Sequence, residues 1–192
     1  MHSSALNDRS TPLRLLASRR SGKARDLVAP APSAAERAQM FAAASRVPDH
    51  GKLAPWRYVV VEDRTRFGEE MVRLYRAQKP DAGRLELESI AAAAQQAPLL
   101  VIALFAPRTD SHIPLWEQEL SMGASIMALI LAAHALGYAA NWLTGPAASV
   151  AGLADLLGHP GARTAGFIHI GMPAKALEER PRPELDAIVS RF

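Results

Sequence analysis

The chain of 192 residues contains no cysteine. That removes disulfides, thiolate metal ligands and cysteine nucleophiles, and it suits a reducing compartment, with the cytoplasm the expected location. Aromatic residues are scarce at 6%, and no charge predominates: 22 Lys and Arg stand against 19 Asp and Glu. The pI near 9.6 does not mark a nucleic-acid binder, because basic residues alternate with acidic ones along the chain. The most apolar stretch, residues 120–136, carries Ser121, Ser125 and His134 and is too short and mixed to span a bilayer. The first ten residues lack the apolar core of a signal peptide, and neither membrane nor nucleic acid is expected as a partner. Also missing are a Gly-x-Ser-x-Gly elbow, a Walker loop, a Gly-x-Gly-x-x-Gly fingerprint and any histidine pair at metal-ligand spacing on one helix. Hydrolase, P-loop and Rossmann chemistry therefore lack support, and no metal is expected.

What is present reads as a globular chain, 49% hydrophobic and of a length that suits one domain,. Residues 1–10 read as a flexible terminus and 11–192 as the domain. Thr11-Pro12 opens a helix expected to end between Arg19 and Gly22, and Ser33 with Glu36 forms a capping box for a helix reaching about Arg46,. The β-branched run in 57–62 predicts a strand, Asp63 caps a helix to about Lys79, and a further helix covers 85–96,. Residues 99–105 predict a buried strand, and 115–136 a long helix closed by Gly137,. Strands over 138–143 and 164–170 flank a helix over 149–157, and 181–192 reads as a short helix with an extended end. The pattern predicts an α+β fold, a sandwich with its sheet flanked by helices.

Three segments concentrate chemistry. Arg19-Arg20-Ser21-Gly22-Lys23 combines guanidinium forks, a hydroxyl and a mobile ammonium, a set that matches phosphate. Cations at the negative end of a helix have the same look. Residues 46–56 form a stiff loop with two prolines, in which His50 is a ligand contact or an ordinary surface residue. Trp142-Leu143-Thr144-Gly145-Pro146 leaves a strand with a glycine that lets a flat ligand approach the backbone,; a plain turn reads alike.

These segments, in this order, resemble the nitroreductase family, over nearly the whole chain from Pro12. The likeness is greatest to a subgroup of small NAD(P)H nitroreductases with Arg-x-Pro-Asp-His in the loop, here Arg46 to His50. That subgroup also has Pro-x-Trp-Glu-Gln-Glu opening the central helix, here Pro114 to Glu119. The resemblance implies a mostly antiparallel central sheet and a homodimer with FMN at the subunit interface. Arg19, Arg20 and Ser21 would hold the phosphate and ribityl chain, and Lys23 would lie near N1 and O2 of the ring. Leu143, Thr144 and Gly145 would pass N5, and Arg46 and His50 would reach the partner's FMN. Ala133, His134, Ala135, Leu136, Gly137 and Tyr138 would meet the nicotinamide nucleotide. Two departures stand out: Lys52 and Ala54 occupy positions where many family members carry Asn and Gln. Lys175 is the C-terminal cation assigned to the phosphate.

The implied activity is reduction of nitroaromatics, quinones or similar electron-poor small molecules by NADH or NADPH, in ping-pong fashion through flavin N5. No side chain is then a catalyst; the cofactor does the chemistry and Lys23 tunes it. The alternatives are another flavin reaction on the same fold (dehalogenation, desaturation or flavin cleavage) and a non-enzymatic flavin- or nucleic-acid-binding module. Substrate contacts are expected in 84–88 or 108–112.

Overall fold

The computed structural model describes residues 6–192. Helix α1, Pro12–Ser18, is capped by the Thr11 side chain and stops just short of the expected range because Arg19 leaves the helical region. Residues 7 and 8, expected to be flexible, are bonded to its far end: Asn7 Oδ1 accepts from Arg20 N at 2.7 Å and Asp8 N donates to Ser18 Oγ at 2.9 Å. Residues 1–5 lie outside the described part. Strand β1, Leu27–Val28, has only two residues and no sequence signal. Helix α2, Ala34–Ala44, opens with the expected capping box, both reciprocal bonds present.

Strand β2 is Trp56–Val60, α3 is Arg64–Gln78 and α4 is Arg84–Ala92. Strand β3, Leu99–Phe105, coincides with the expected strand and is buried along its whole length. Helix α5, Leu115–Ala135, is followed by Gly137 at φ 102°, the left-handed turn that ends a helix,. Strand β4, Ala139–Leu143, follows. The helix expected over 149–157 is broken: a 3₁₀ turn, Pro146–Ser149, is separated from α6, Leu153–Leu156, by Gly152 at φ 76°. Strand β5, Arg163–Pro173, runs three residues beyond expectation, and α7, Leu185–Ile188, buries nothing.

All five strands pair antiparallel. Strand β5 pairs with β1, β3 and β4, and β2 pairs with β3. Alternation along β3 divides the core. Val101, Ala103 and Phe105 join Met40, Met122, Ile126 and Leu129 of α2 and α5. Leu100, Ile102 and Leu104 join Phe67, Met71, Leu87 and Leu153 of α3, α4 and α6. Helices on both faces explain why β3 is apolar throughout, not alternating. Among the described residues no helix is long and apolar enough to cross a membrane.

Candidate functional site

The turn after α1 gathers positive charge. Arg19 is half-buried and its Nη1 donates to Ser21 Oγ at 3.1 Å. Burial, then Arg182, Arg20 and Arg180, hold its pKa below that of a free guanidinium, and Glu179 opposes them. The C-terminal tail causes this crowding. Arg20 Nε donates to Glu178 O at 2.6 Å, and Arg182 Nη2 reaches Glu179 Oε1 at 2.9 Å and Arg19 O at 3.4 Å. Four guanidinium groups gathered around one carboxylate repel one another, and a phosphate dianion is the ligand whose charge and forked acceptors match them. The residues present therefore fit the phosphate of FMN.

Lys175 lines a small cavity together with Arg20, Ser21 and Lys23, and its Nζ pairs there with Asp26 Oδ1 at 2.9 Å. The tail cations that act on Arg19 itself are Arg180 and Arg182. The sequence hid them because more than 160 residues separate Arg182 from Arg19.

Strand β4 brings the second segment to the first. Asn141 Nδ2 donates to Gly22 O, placing Arg19–Lys23 beside the strand that ends in Leu143, Thr144 and Gly145. These three and Lys23 are all exposed. Gly145 has ordinary extended φ and ψ, and a Cβ built there meets nothing within 4 Å. Nothing within the chain demands glycine at that point, which leaves it open to a flat ligand.

Arg46 and His50 are elsewhere in the same chain. His50 Nδ1 is 2.7 Å from Glu117 Oε2, and Ser121 Oγ donates to Pro48 O at 2.6 Å. Both contacts are at the start of α5, whereas Arg19 influences His134 near its end. Thirteen residues from Ser121 to His134 amount to about 20 Å of helix. One chain does not assemble Arg46 and His50 with the Arg19 turn. In their loop, Lys52 (φ 54°) and Ala54 (φ 46°) are both left-handed, a costly geometry for residues other than Asn or Gly. The Asp49 carboxylate holds it by accepting from Leu53 N at 3.1 Å and Ala54 N at 2.9 Å.

The segment from Ala133 to Tyr138 borders a cavity of about 890 Å³, lined by His134, Gly137 and Tyr138 together with Arg9, Met172 and Leu177. The volume suits a nucleotide. Ala133, Ala135 and Leu136 do not line it. His134 is fully buried; Nε2 accepts from Ala140 N at 3.3 Å and Nδ1 has no partner. Burial, and secondarily Arg19, push its pKa down to about 4. Tyr138 Oη donates to Glu36 Oε2 at 3.1 Å.

Comparison with known proteins identifies the fold and the family. The Nitroreductase family model matches residues 16–172. A Haemophilus influenzae protein, provisionally named an NAD(P)H nitroreductase, is 38% identical over 135 residues, covering 69% of this chain and 72% of its own length. Among solved structures, a nitroreductase-like protein from Bacillus cereus superposes with a TM-score of 0.75 at 18% identity, covering 95% of this chain and 96% of that one. A protein from Desulfovibrio desulfuricans, provisionally named a nitroreductase and crystallised in complex with FMN, gives a TM-score of 0.70 at 19% identity over 95% and 98% of the two chains. With a family model matched across most of its length and a fold shared with these structures, the chain belongs to the Nitroreductase family.

Proposed function

We propose that residues 11–192 form one FMN-binding domain of an oxidoreductase that uses NADH or NADPH to reduce nitroaromatics, quinones or related electron-poor molecules. The observation that carries this reading is the cluster of four arginines around Arg19, which a single carboxylate, Glu179, only partly offsets. Support comes also from the nitroreductase name of the Haemophilus relative and from the FMN complex of the Desulfovibrio structure. Arg19, Arg20 and Ser21, with Arg180 and Arg182, would hold the phosphate. Lys23 would place positive charge beside the pyrimidine side of the ring, and Leu143, Thr144 and Gly145 would present backbone to its N5 side. Held by these residues, FMN would supply the hydride-transfer chemistry that links a nicotinamide donor to the acceptor in alternating half-reactions. The cavity beside His134, Gly137 and Tyr138 is the place proposed for the nucleotide.

The working form proposed is a homodimer in the cytoplasm. Leu13 and Leu16 of α1, Leu115, Trp116 and Leu120 of α5, and Ile188, Val189 and Phe192 of the tail are all exposed, an apolar surface that a second copy would cover. Arg46 and His50 would then complete the partner's FMN site.

Anaerobic titration of the FMN-loaded protein tests the reading. NADH or NADPH is expected to bleach the flavin absorbance, and a nitroaromatic or quinone to restore it. A protein that binds no FMN, or whose bound FMN neither nucleotide reduces, would overturn it.

A further inference from the structure

Behind Leu143 and Gly145, on the α4 side of the sheet, is a second cavity, of about 150 Å³. Its rim is exposed: Ser89, Leu143, Gly145 and Pro146. Its floor is buried: Ile90, Ala93, Phe167 and His169. His169 sits mid-strand in β5, paired across the sheet with Leu100 on β3 and Asn141 on β4. It is 1% exposed, and neither Nδ1 nor Nε2 has a hydrogen-bond partner.

The contrast with other buried polar groups is sharp. Gln118 makes three hydrogen bonds and Ser125 two. A buried polar side chain with no bond at all is uncommon, and each unmet group costs free energy. A residue resembling its neighbours Leu100 and Phe167 would fill this position without that cost. Burial keeps the ring neutral, with its pKa lowered to about 4, so one nitrogen donates and the other accepts. Gln96, half-buried in the same wall, adds an amide with both functions.

An occupant that answers this wall has a flat apolar body and a polar edge that both donates and accepts. A cavity of this volume accommodates about one six-membered ring. Its location narrows the choice further. Asn141, the cross-strand neighbour of His169, is the residue bonded to Gly22 O, so the floor lies one strand from the Arg19–Lys23 turn. The rim is the Leu143–Gly145 segment itself.

We propose that His169, together with Gln96, receives the imide edge of the flavin's pyrimidine ring, with an imidazole nitrogen accepting from the ring N3–H. This rests on the FMN reading above. It makes His169 a positioning residue for the cofactor, one that sets ring orientation from the centre of the sheet while the arginines hold the other end of the molecule.

N3-methyl-FMN separates the two ideas, because methylation removes the imide donor and leaves the phosphate unchanged. Affinities for FMN and N3-methyl-FMN would be measured by fluorescence titration on the full chain, as wild type, His169→Leu and Gln96→Leu. The wild type is expected to prefer FMN by roughly tenfold, the size of one neutral hydrogen bond. His169→Leu should reduce that preference to within about twofold. If that variant does not fold, a narrowed preference in Gln96→Leu, whose side chain is only half-buried, carries the test. Equal wild-type affinity for the two flavins overturns the inference and leaves the FMN reading standing. A preference that survives both substitutions also overturns it, since the methyl group would then be excluded by backbone alone. A wild type that binds neither flavin overturns the proposed function, and this inference with it.

Discussion

The two ends of α5 are finished to different degrees. At its start the polar groups are answered from within the chain. Gln118 bonds Arg108 N, Arg108 O and Ile113 O, Ser121 bonds Pro48 O, and Asp49 ties down its own loop. What remains open there is apolar: Trp116 is 61% exposed and Leu120 64%. At the other end Leu13 and Leu16 of the neighbouring α1 are exposed too, but polar groups are also left open. Arg19, Arg20, Arg180 and Arg182 crowd together, and His134 keeps a bare Nδ1. Apolar surface is open at both ends, whereas an excess of cations gathers at the Arg19 end. The chemistry of what is missing distinguishes a surface for another protein from a site for a small ligand.

The largest effect on the fold should come from the satisfied end. Gln118→Leu strands three backbone groups of the 106–114 loop and should destabilise the protein by about 2–4 kcal/mol. Urea unfolding measures it, and FMN affinity should stay unchanged. A variant as stable as wild type would mean that the loop holds itself.

Acid should expose the unsatisfied side of the comparison. His134 and His169 have folded pKa values of about 4, set by burial first and by Arg19 and Arg64 second. Because these lie below the ordinary 6.5, the unfolded chain binds more protons than the folded one between the two values. Stability then falls as pH drops from about 6.5 to 4, with a slope that approaches roughly 1.4 kcal/mol per pH unit per histidine and a loss of about 2 kcal/mol for the pair over the first unit. Chemical denaturation at pH 7 and 5.5 gives the slope. A flat profile would mean that both rings are charged or solvated.

Arg19→Ala should separate binding from folding. FMN affinity should fall by about 1.5–3 kcal/mol, the worth of a charge-assisted phosphate contact. The apoprotein should lose no stability, because burial and neighbouring cations already disfavour the charge. Calorimetry with and without FMN reads both. An apoprotein destabilised as much as the complex would make Arg19 an ordinary structural cation.

The smallest effect on the folded protomer is expected at the apolar end. Leu120→Glu should change its stability by less than about 0.5 kcal/mol, as an exposed substitution does, while sedimentation shifts from dimer toward monomer. An unchanged sedimentation profile would remove Leu120 from the proposed interface.

Much of this was legible before folding was considered. Period, caps and breakers are local, so Leu99–Phe105, the Ser33–Glu36 capping box and the Gly137 stop could be read directly from the sequence,. The motifs Arg19–Lys23 and Leu143–Gly145 were likewise visible as residue types. Three things were not. Strand β1 has two residues and exists only because β5 offers it an edge. The helix expected over 149–157 broke at Gly152, where the chain's path over the sheet outweighed helix propensity. Arg180 and Arg182, not named from the sequence, come to Arg19. A single chain supplies the cations and their order. Which of them share a site, and whether a histidine in a strand finds a partner or is left without one, depends on contacts between residues far apart in the sequence, and only packing sets those distances.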